Sequence, residues 1–225
     1  MYKFLLSIVI LCLAACSTIE SKIEQDFEPS LDTLTFYQSP VVERSAAPIY
    51  VMPPFPAKTA LKAVFFPFYV REQVEKPKVI GDTIGYLFWQ AWVGQGVFPA
   101  MVYENKFGYP GKEKARAYAM EKGADLYVLG QLKHFLDGGS QGSSSLAIQV
   151  NIYSIYSNKL VWTMEHSGRI DNRPDVDFVL FKRKTWMPES PLYVILNALA
   201  YDLAMPVKKW AAGQDFRKGL KPLRY

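Results

Sequence analysis

Four groupings in this chain hold residue types that carry chemistry. His134 stands three positions before Asp137, where an imidazole and a carboxylate at a strand end share proton-transfer work, but nothing around them reads as a nucleophile. Glu165 and His166 are adjacent on an expected strand, so their side chains leave opposite faces and cannot act as a pair without outside partners. Asp171, Asp175 and Asp177 in DNRPDVD invite comparison with a calcium loop, yet Arg173 occupies a ligand position and no Gly or terminal Glu follows. The segment reads as a solvated acidic loop. Gly94-Gln95-Gly96 lacks the further glycine and the strand-to-helix setting of a dinucleotide loop. The expectation is a protein without a catalytic centre. An envelope hydrolase, the enzyme alternative, requires His134, Asp137 and a distant acid to converge in a deep pocket.

Thiol chemistry is excluded by position. Residues 1–15 read MYKFLLSIVILCLAA: Lys3, an apolar run over 4–13, then Ala14 and Ala15 ahead of Cys16. The run is too short to span a bilayer as a helix and has the layout of a secretory signal. Leu13-Ala14-Ala15-Cys16 resembles the lipobox of bacterial lipoproteins. That resemblance implies cleavage before Cys16, a diacylglycerol on its sulfur and an acyl group on its new amine. Ser17, directly after the cysteine, is similar to what outer-membrane lipoproteins carry, so the expected address is the outer membrane, facing the periplasm. Cys12 leaves with the signal and Cys16 is capped, so no disulfide, cysteine nucleophile or thiolate metal site follows. With His134 and His166 the only imidazoles, a zinc or iron centre is not expected either. No cofactor beyond the covalent lipid is implied.

Half of the 225 residues are hydrophobic and 15% are aromatic, enough to build one sizeable core. The net charge of +5 is unevenly placed. Glu20, Glu24, Asp26, Glu28, Asp32 and Glu43 outweigh Lys22 and Arg44 in residues 17–44, leaving a basic body on an acidic tether. Such a body suits anionic headgroups, peptidoglycan or an acidic protein; nucleic acid is a poor partner for an exported chain.

Residues 16–60 hold several prolines and little periodicity, so they read as a tether ending in an extended segment near residues 49–52. From residue 61 the pattern is regular. An apolar strand over 63–70 is interrupted by Pro67; a helical stripe runs over 80–93; a strand follows at 97–103. A short helix over 112–122 stops at Gly123, and a strand over 125–135 is apolar enough to be buried on both faces. A Gly/Ser turn over 138–145 leads to a strand over 146–156, a hairpin partner over 160–169, an irregular stretch over 171–190 and a helix over 191–205. The expected class is α/β: one domain over 61–212 with a mixed sheet in the order β-α-β-α-β-β-β-α, flanked by helices, and a basic tail over 213–225.

The stretch KARAYAMEKGADLYVLGQL at 114–132, with FFPF upstream and SLAIQVNIY and KLVW downstream, resembles a family of small periplasmic lipoproteins. The family includes the curli-secretion channel subunit and lipoprotein activators of penicillin-binding proteins. Its motifs are structural, so the resemblance implies fold more than function. Channel subunits of that kind insert long amphipathic hairpins after the strand matching 125–135. A membrane hairpin needs about twenty residues, and 137–145 is shorter and lacks alternating apolar positions. A pore is not expected.

On the first helix Tyr86, Trp89 and Val93 lie opposite the apolar stripe, so that helix is hydrophobic all round and is either buried on both sides or offers a face to a partner. Lys182, Arg183 and Lys184, with Lys208, Lys209, Arg217 and Lys218, form a second candidate surface, a basic one. The combined expectation is a lipid-anchored accessory or adaptor of an envelope assembly, without enzymatic activity. It holds the membrane through its lipid and an envelope protein through its body. An oligomeric secretion-channel subunit is the alternative, and homo-oligomers are compatible with either.

Overall fold

The computed structural model describes residues 34–38, 41–106, 108–139, 142–172, 176–177 and 181–217. Cys16 and the signal-like leader lie outside them. Two units emerge. The smaller is a three-stranded sheet in which β1 (Leu34–Gln38) runs parallel to β11 (Phe181–Thr185), itself antiparallel to β10 (Val176–Asp177). The stretch expected to be irregular over 171–190 therefore contains two strands. β10 pairs with its neighbour β11, whose other partner, β1, lies about 147 residues upstream, beyond the reach of any local signal.

The larger unit is an eight-stranded mixed sheet with three helices. Its strands are β2 (Glu43–Arg44), β3 (Ile49–Val51), β4 (Lys62–Phe65), β5 (Tyr69–Val70), β6 (Ala100–Tyr103), β7 (Leu126–Leu136), β8 (Ser144–Ser154) and β9 (Leu160–Ile170). Helix α1 (Pro77–Gln95) joins β5 to β6, α2 (Gly111–Glu121) joins β6 to β7, and α3 (Pro191–Ala211) follows the last strands. The expected order of long elements holds. The order across the sheet is β2-β9-β8-β7-β4-β6, with β3 also on β9 and β5 also on β7. β4, β6 and β7 are parallel, as helical crossovers require, and β7, β8 and β9 form an antiparallel meander.

Alternation along β4 separates two cores. Ala63 and Phe65 face α1 and α3, where Phe88, Trp92, Ile195, Leu199 and Trp162 are buried. Val64 and Phe66 face α2, whose Ala115 and Ala119 let it lie close against Tyr127 and Leu129. Trp92 ties the first core together by donating its indole N–H to the Ala200 carbonyl at 3.0 Å. Pro67 ends β4, as its missing N–H predicts, and β5 resumes on the same partner strand.

Two boundaries extend further than the sequence pattern indicates. β2 and β3 pair antiparallel with β9, and the Ala57 N–H donates to the Trp210 carbonyl, so the fold begins upstream of residue 61. Helix α3 runs past Pro206 to Ala211. Burial of Val207 and Trp210 outweighs the one helical hydrogen bond that Pro206 cannot make.

Candidate functional site

Tyr86 and Val93 are 45% and 43% exposed on α1. Trp89 between them is partly buried. Its ring lies 5.5 Å from Tyr86 and 5.8 Å from Tyr103 of β6, with Tyr86 and Tyr103 at 5.6 Å from each other. The Trp89 indole N–H is buried without an acceptor among the described residues. Tyr103 is anchored by donating its phenol to Asp82, and burial together with that carboxylate pushes its ionisation far above the usual tyrosine range. Beside this ledge, Trp89, Val93, Val97, Phe98, Pro99 and Met101 line an apolar groove of about 690 Å³. β6 ends the sheet order, and nothing among the described residues pairs with its outer side. The groove therefore runs along an open strand edge.

The basic residues divide between units. Lys182, Arg183 and Lys184 lie on β11 of the smaller one, while Lys208 and Lys209 lie in the last turn of α3 in the larger. Lys208 donates to the Gln95 carbonyl at the C-terminus of α1 at 2.7 Å, and Arg217 donates to the Pro54 carbonyl, so both cations are held by main-chain oxygens. Lys218 lies outside the described residues.

The side of β8 and β9 away from α1 and α3 carries polar side chains. Here the structure assembles a group that sequence spacing misses. Strict alternation from Leu132 would turn His134 toward the core. The β7–β8 register slips between Leu132 and His134, so His134 pairs with Ala147 and Phe135 with buried Leu146. The imidazole thereby reaches the polar face. Ser145 Oγ lies 2.8 Å from His134 Nε2, and His134 Nδ1 lies 2.8 Å from Glu72 Oε1. Glu72 follows β5, where Arg71 N–H donates to the Leu132 carbonyl, and its second oxygen accepts the Phe135 N–H at 3.0 Å. The hydrogen bond from His134 holds the Glu72 carboxyl below its ordinary value. Asp137, the expected partner of His134, instead accepts the Gly139 N–H at 3.0 Å. Its place is taken by an acid 62 residues upstream of the histidine.

His134 and Ser145 line a cleft of about 460 Å³ together with Glu43, Arg44, Ser167 and Arg169. Glu165 and His166 do leave opposite faces. Glu165 accepts from Lys133 at 2.6 Å on the polar side. His166 is 2% exposed on the core side, its Nε2 2.8 Å from Asp202 Oδ2 of α3 and its Nδ1 3.3 Å from Ser45 Oγ. Asp171 lies 3.5 Å from Arg169, Asp175 is outside the described residues, and no metal-ligand cluster occurs among those described.

No protein-family description matches the chain, and no curated protein matches it in sequence. Three solved structures are similar to this chain at low sequence identity. A PelC dodecamer from Paraburkholderia phytofirmans is 14% identical with a TM-score of 0.43, over 75% of this chain and 96% of that one. Lipoprotein GNA1162 from Neisseria meningitidis is 9% identical with a TM-score of 0.33, over 52% of this chain and 87% of that one. The LpoB C-terminal domain from Salmonella enterica is 11% identical with a TM-score of 0.26, over 52% of this chain and 88% of that one.

Proposed function

We propose that this protein is a lipid-anchored accessory component of a cell-envelope assembly, tethered through Cys16 to the outer membrane, whose work there is to bind. The observation that supports the reading is the open edge of β6 running beside the Trp89 groove. An unpaired strand edge offers main-chain hydrogen bonds to an extended segment, and an adjoining apolar groove takes alternate side chains of that segment. The occupant is an extended segment of an envelope protein. Tethering both partners to one membrane raises their effective concentration, so a modest groove suffices.

A channel subunit built on membrane hairpins is not favoured. The connection between β7 and β8 spans only residues 137–143, against about twenty residues for a hairpin that crosses a bilayer. Self-association without a pore is compatible with the fold, and PelC is a dodecamer; the native mass distinguishes that arrangement from a hetero-complex.

Val93→Glu tests the reading. The site is 43% exposed, so the substitution leaves the fold within about 0.5 kcal/mol of the parent. Co-purification of the envelope partner from mildly solubilised membranes is expected to fall at least tenfold. Undiminished recovery of the same partner would remove the β6 groove as the capture site.

A further inference from the structure

The geometry points to a second capability at the other end of the sheet: Ser145, His134 and Glu72 form a nucleophile relay that cleaves a short-chain ester seated in the Arg169 cleft. A serine hydroxyl becomes nucleophilic when an imidazole accepts its proton and an acid holds that imidazole in the right tautomer. All three contacts are present: Ser145 Oγ to His134 Nε2 at 2.8 Å, His134 Nδ1 to Glu72 Oε1 at 2.8 Å, and Glu72 Oε2 to the Phe135 N–H at 3.0 Å. The backbone bond matters because it fixes the carboxylate that orients the ring. The order of nitrogens also matters. The carboxylate occupies Nδ1, which places the free lone pair of Nε2 on the hydroxyl.

The second histidine serves as an internal contrast. His166 also lies between a serine and an aspartate, but it is 2% exposed, and Ser45 spends its hydroxyl proton on the Ala46 carbonyl at 2.9 Å. That arrangement holds α3 to the sheet. At His134 the ring is half exposed and opens on the cleft, so a substrate has access.

Arg169 supplies the positive charge. It stands directly opposite Ser145 in the β8–β9 register, and directly opposed side chains lie about 5 Å apart at Cβ. Its guanidinium is held by Glu43 at 2.9 Å and Asp171 at 3.5 Å, and it lines the same cleft. A carbonyl oxygen that gains charge during attack on Ser145 would face this cation. The cleft volume of about 460 Å³ favours a small acyl group over a long hydrocarbon chain.

The reaction balances without a cofactor. Ser145 Oγ adds to the ester carbonyl carbon while its proton passes to His134 Nε2. The imidazolium returns that proton to the departing alkoxide, and the carbon–oxygen bond to the alcohol breaks. Water, deprotonated by the same nitrogen, then cleaves the acyl-serine to release the acid and restore the hydroxyl. Glu72 is a positioning residue throughout.

The test uses the full mature chain and a fluorophosphonate, which transfers its phosphonyl group to an activated serine with loss of fluoride. Labelling is read by intact mass and peptide mapping. The expected result is one phosphonyl group on Ser145, none in Ser145→Ala, and a rate at least 100-fold lower in His134→Asn. Glu72→Gln should slow labelling and displace its pH profile, which loss of a merely structural contact would not do. Burst release of p-nitrophenol from p-nitrophenyl acetate, equal to one acyl group per chain, should disappear in the same variants. Circular dichroism should show the parent fold in every variant, since His134 is half exposed. No labelling of Ser145 above the Ser145→Ala background, or labelling indifferent to His134→Asn, overturns the proposal and leaves the three residues a structural cluster.

Discussion

His134 Nε2 lies 2.8 Å from Ser145 Oγ because the register of β7 against β8 slips by one residue just before the histidine. The slip reverses the parity of everything after Leu132. It sends Phe135 inward and His134 outward, where Glu72 meets it. The carboxyl of Glu72 therefore titrates below its ordinary value of 4.5, principally through the hydrogen bond from His134. A folded-state pKa below the unfolded one contributes stability that is present above the unfolded value and is lost as pH falls through the folded value. Carboxyl NMR titration should place Glu72 below 4.5, and His134→Asn should return it toward that value. Stability of the parent should then fall more steeply than that of His134→Asn as the solution is acidified below 4.5.

Gly130 is a packing requirement. A Cβ at this position of β7 would collide with the ring of Phe68, which is 3% exposed and lies tilted against Phe88 at 5.4 Å between ring centres. Gly130→Val is expected to cost about 1–3 kcal/mol through displacement of that ring. Urea unfolding should show a lower midpoint with an unchanged slope, and an unchanged midpoint would place the Phe68 ring elsewhere.

Asp202 holds two strands to α3. It accepts from Arg44 of β2 at 3.2 Å and contacts the buried ring of His166 of β9 at 2.8 Å. Asp202→Ala leaves that ring without its acid and should destabilise by about 1–3 kcal/mol, whereas Asp202→Asn should recover part of the loss. Hydrogen exchange is the second measure: the amides of β2 should lose protection before those of β7.

Two phenols with raised ionisation contribute to the alkaline limb. Burial pushes the Tyr127 hydroxyl up to about 12, while its proton goes to Asn158 Oδ1 at 2.6 Å, and Tyr103 is raised further by burial and Asp82. The neutral form is favoured in the fold, so the contribution is full below the ordinary value of 10.0 and is lost as pH rises toward the folded value. Ultraviolet titration should show a tyrosine fraction that ionises only with unfolding. Tyr127→Phe should flatten the loss of stability between pH 10 and about 12.

Much of the body was legible from periodicity. The runs that became β4, β7, β8 and β9 alternate or are wholly apolar, and the stripes of α1 and α3 carry the residues that pack on the sheet. Glu165 and His166 were separable for the same reason. What stayed hidden depended on distance along the chain. β1 and β11 find each other across most of the sequence, and β2 is a two-residue strand with no pattern of its own. The candidate relay was hidden twice over. Its acid follows a two-residue strand, and its histidine reaches the polar face only through a register slip that alternation cannot announce. Trp89 was legible as an aromatic on the outer face, but Tyr103, whose ring lies 5.8 Å from it, comes from a strand whose position beside that helix periodicity does not state.

The central claim is that the body binds a different envelope polypeptide along β6 while the lipid holds it to the membrane. The most direct measurement is the native mass of the lipidated protein, extracted in mild detergent after brief photocrosslinking from a probe placed at Val93. The account predicts a small complex containing one additional, identifiable polypeptide joined at that position. A large ring made only of this chain, crosslinked copy to copy through Val93, would contradict it and make the groove a self-assembly surface.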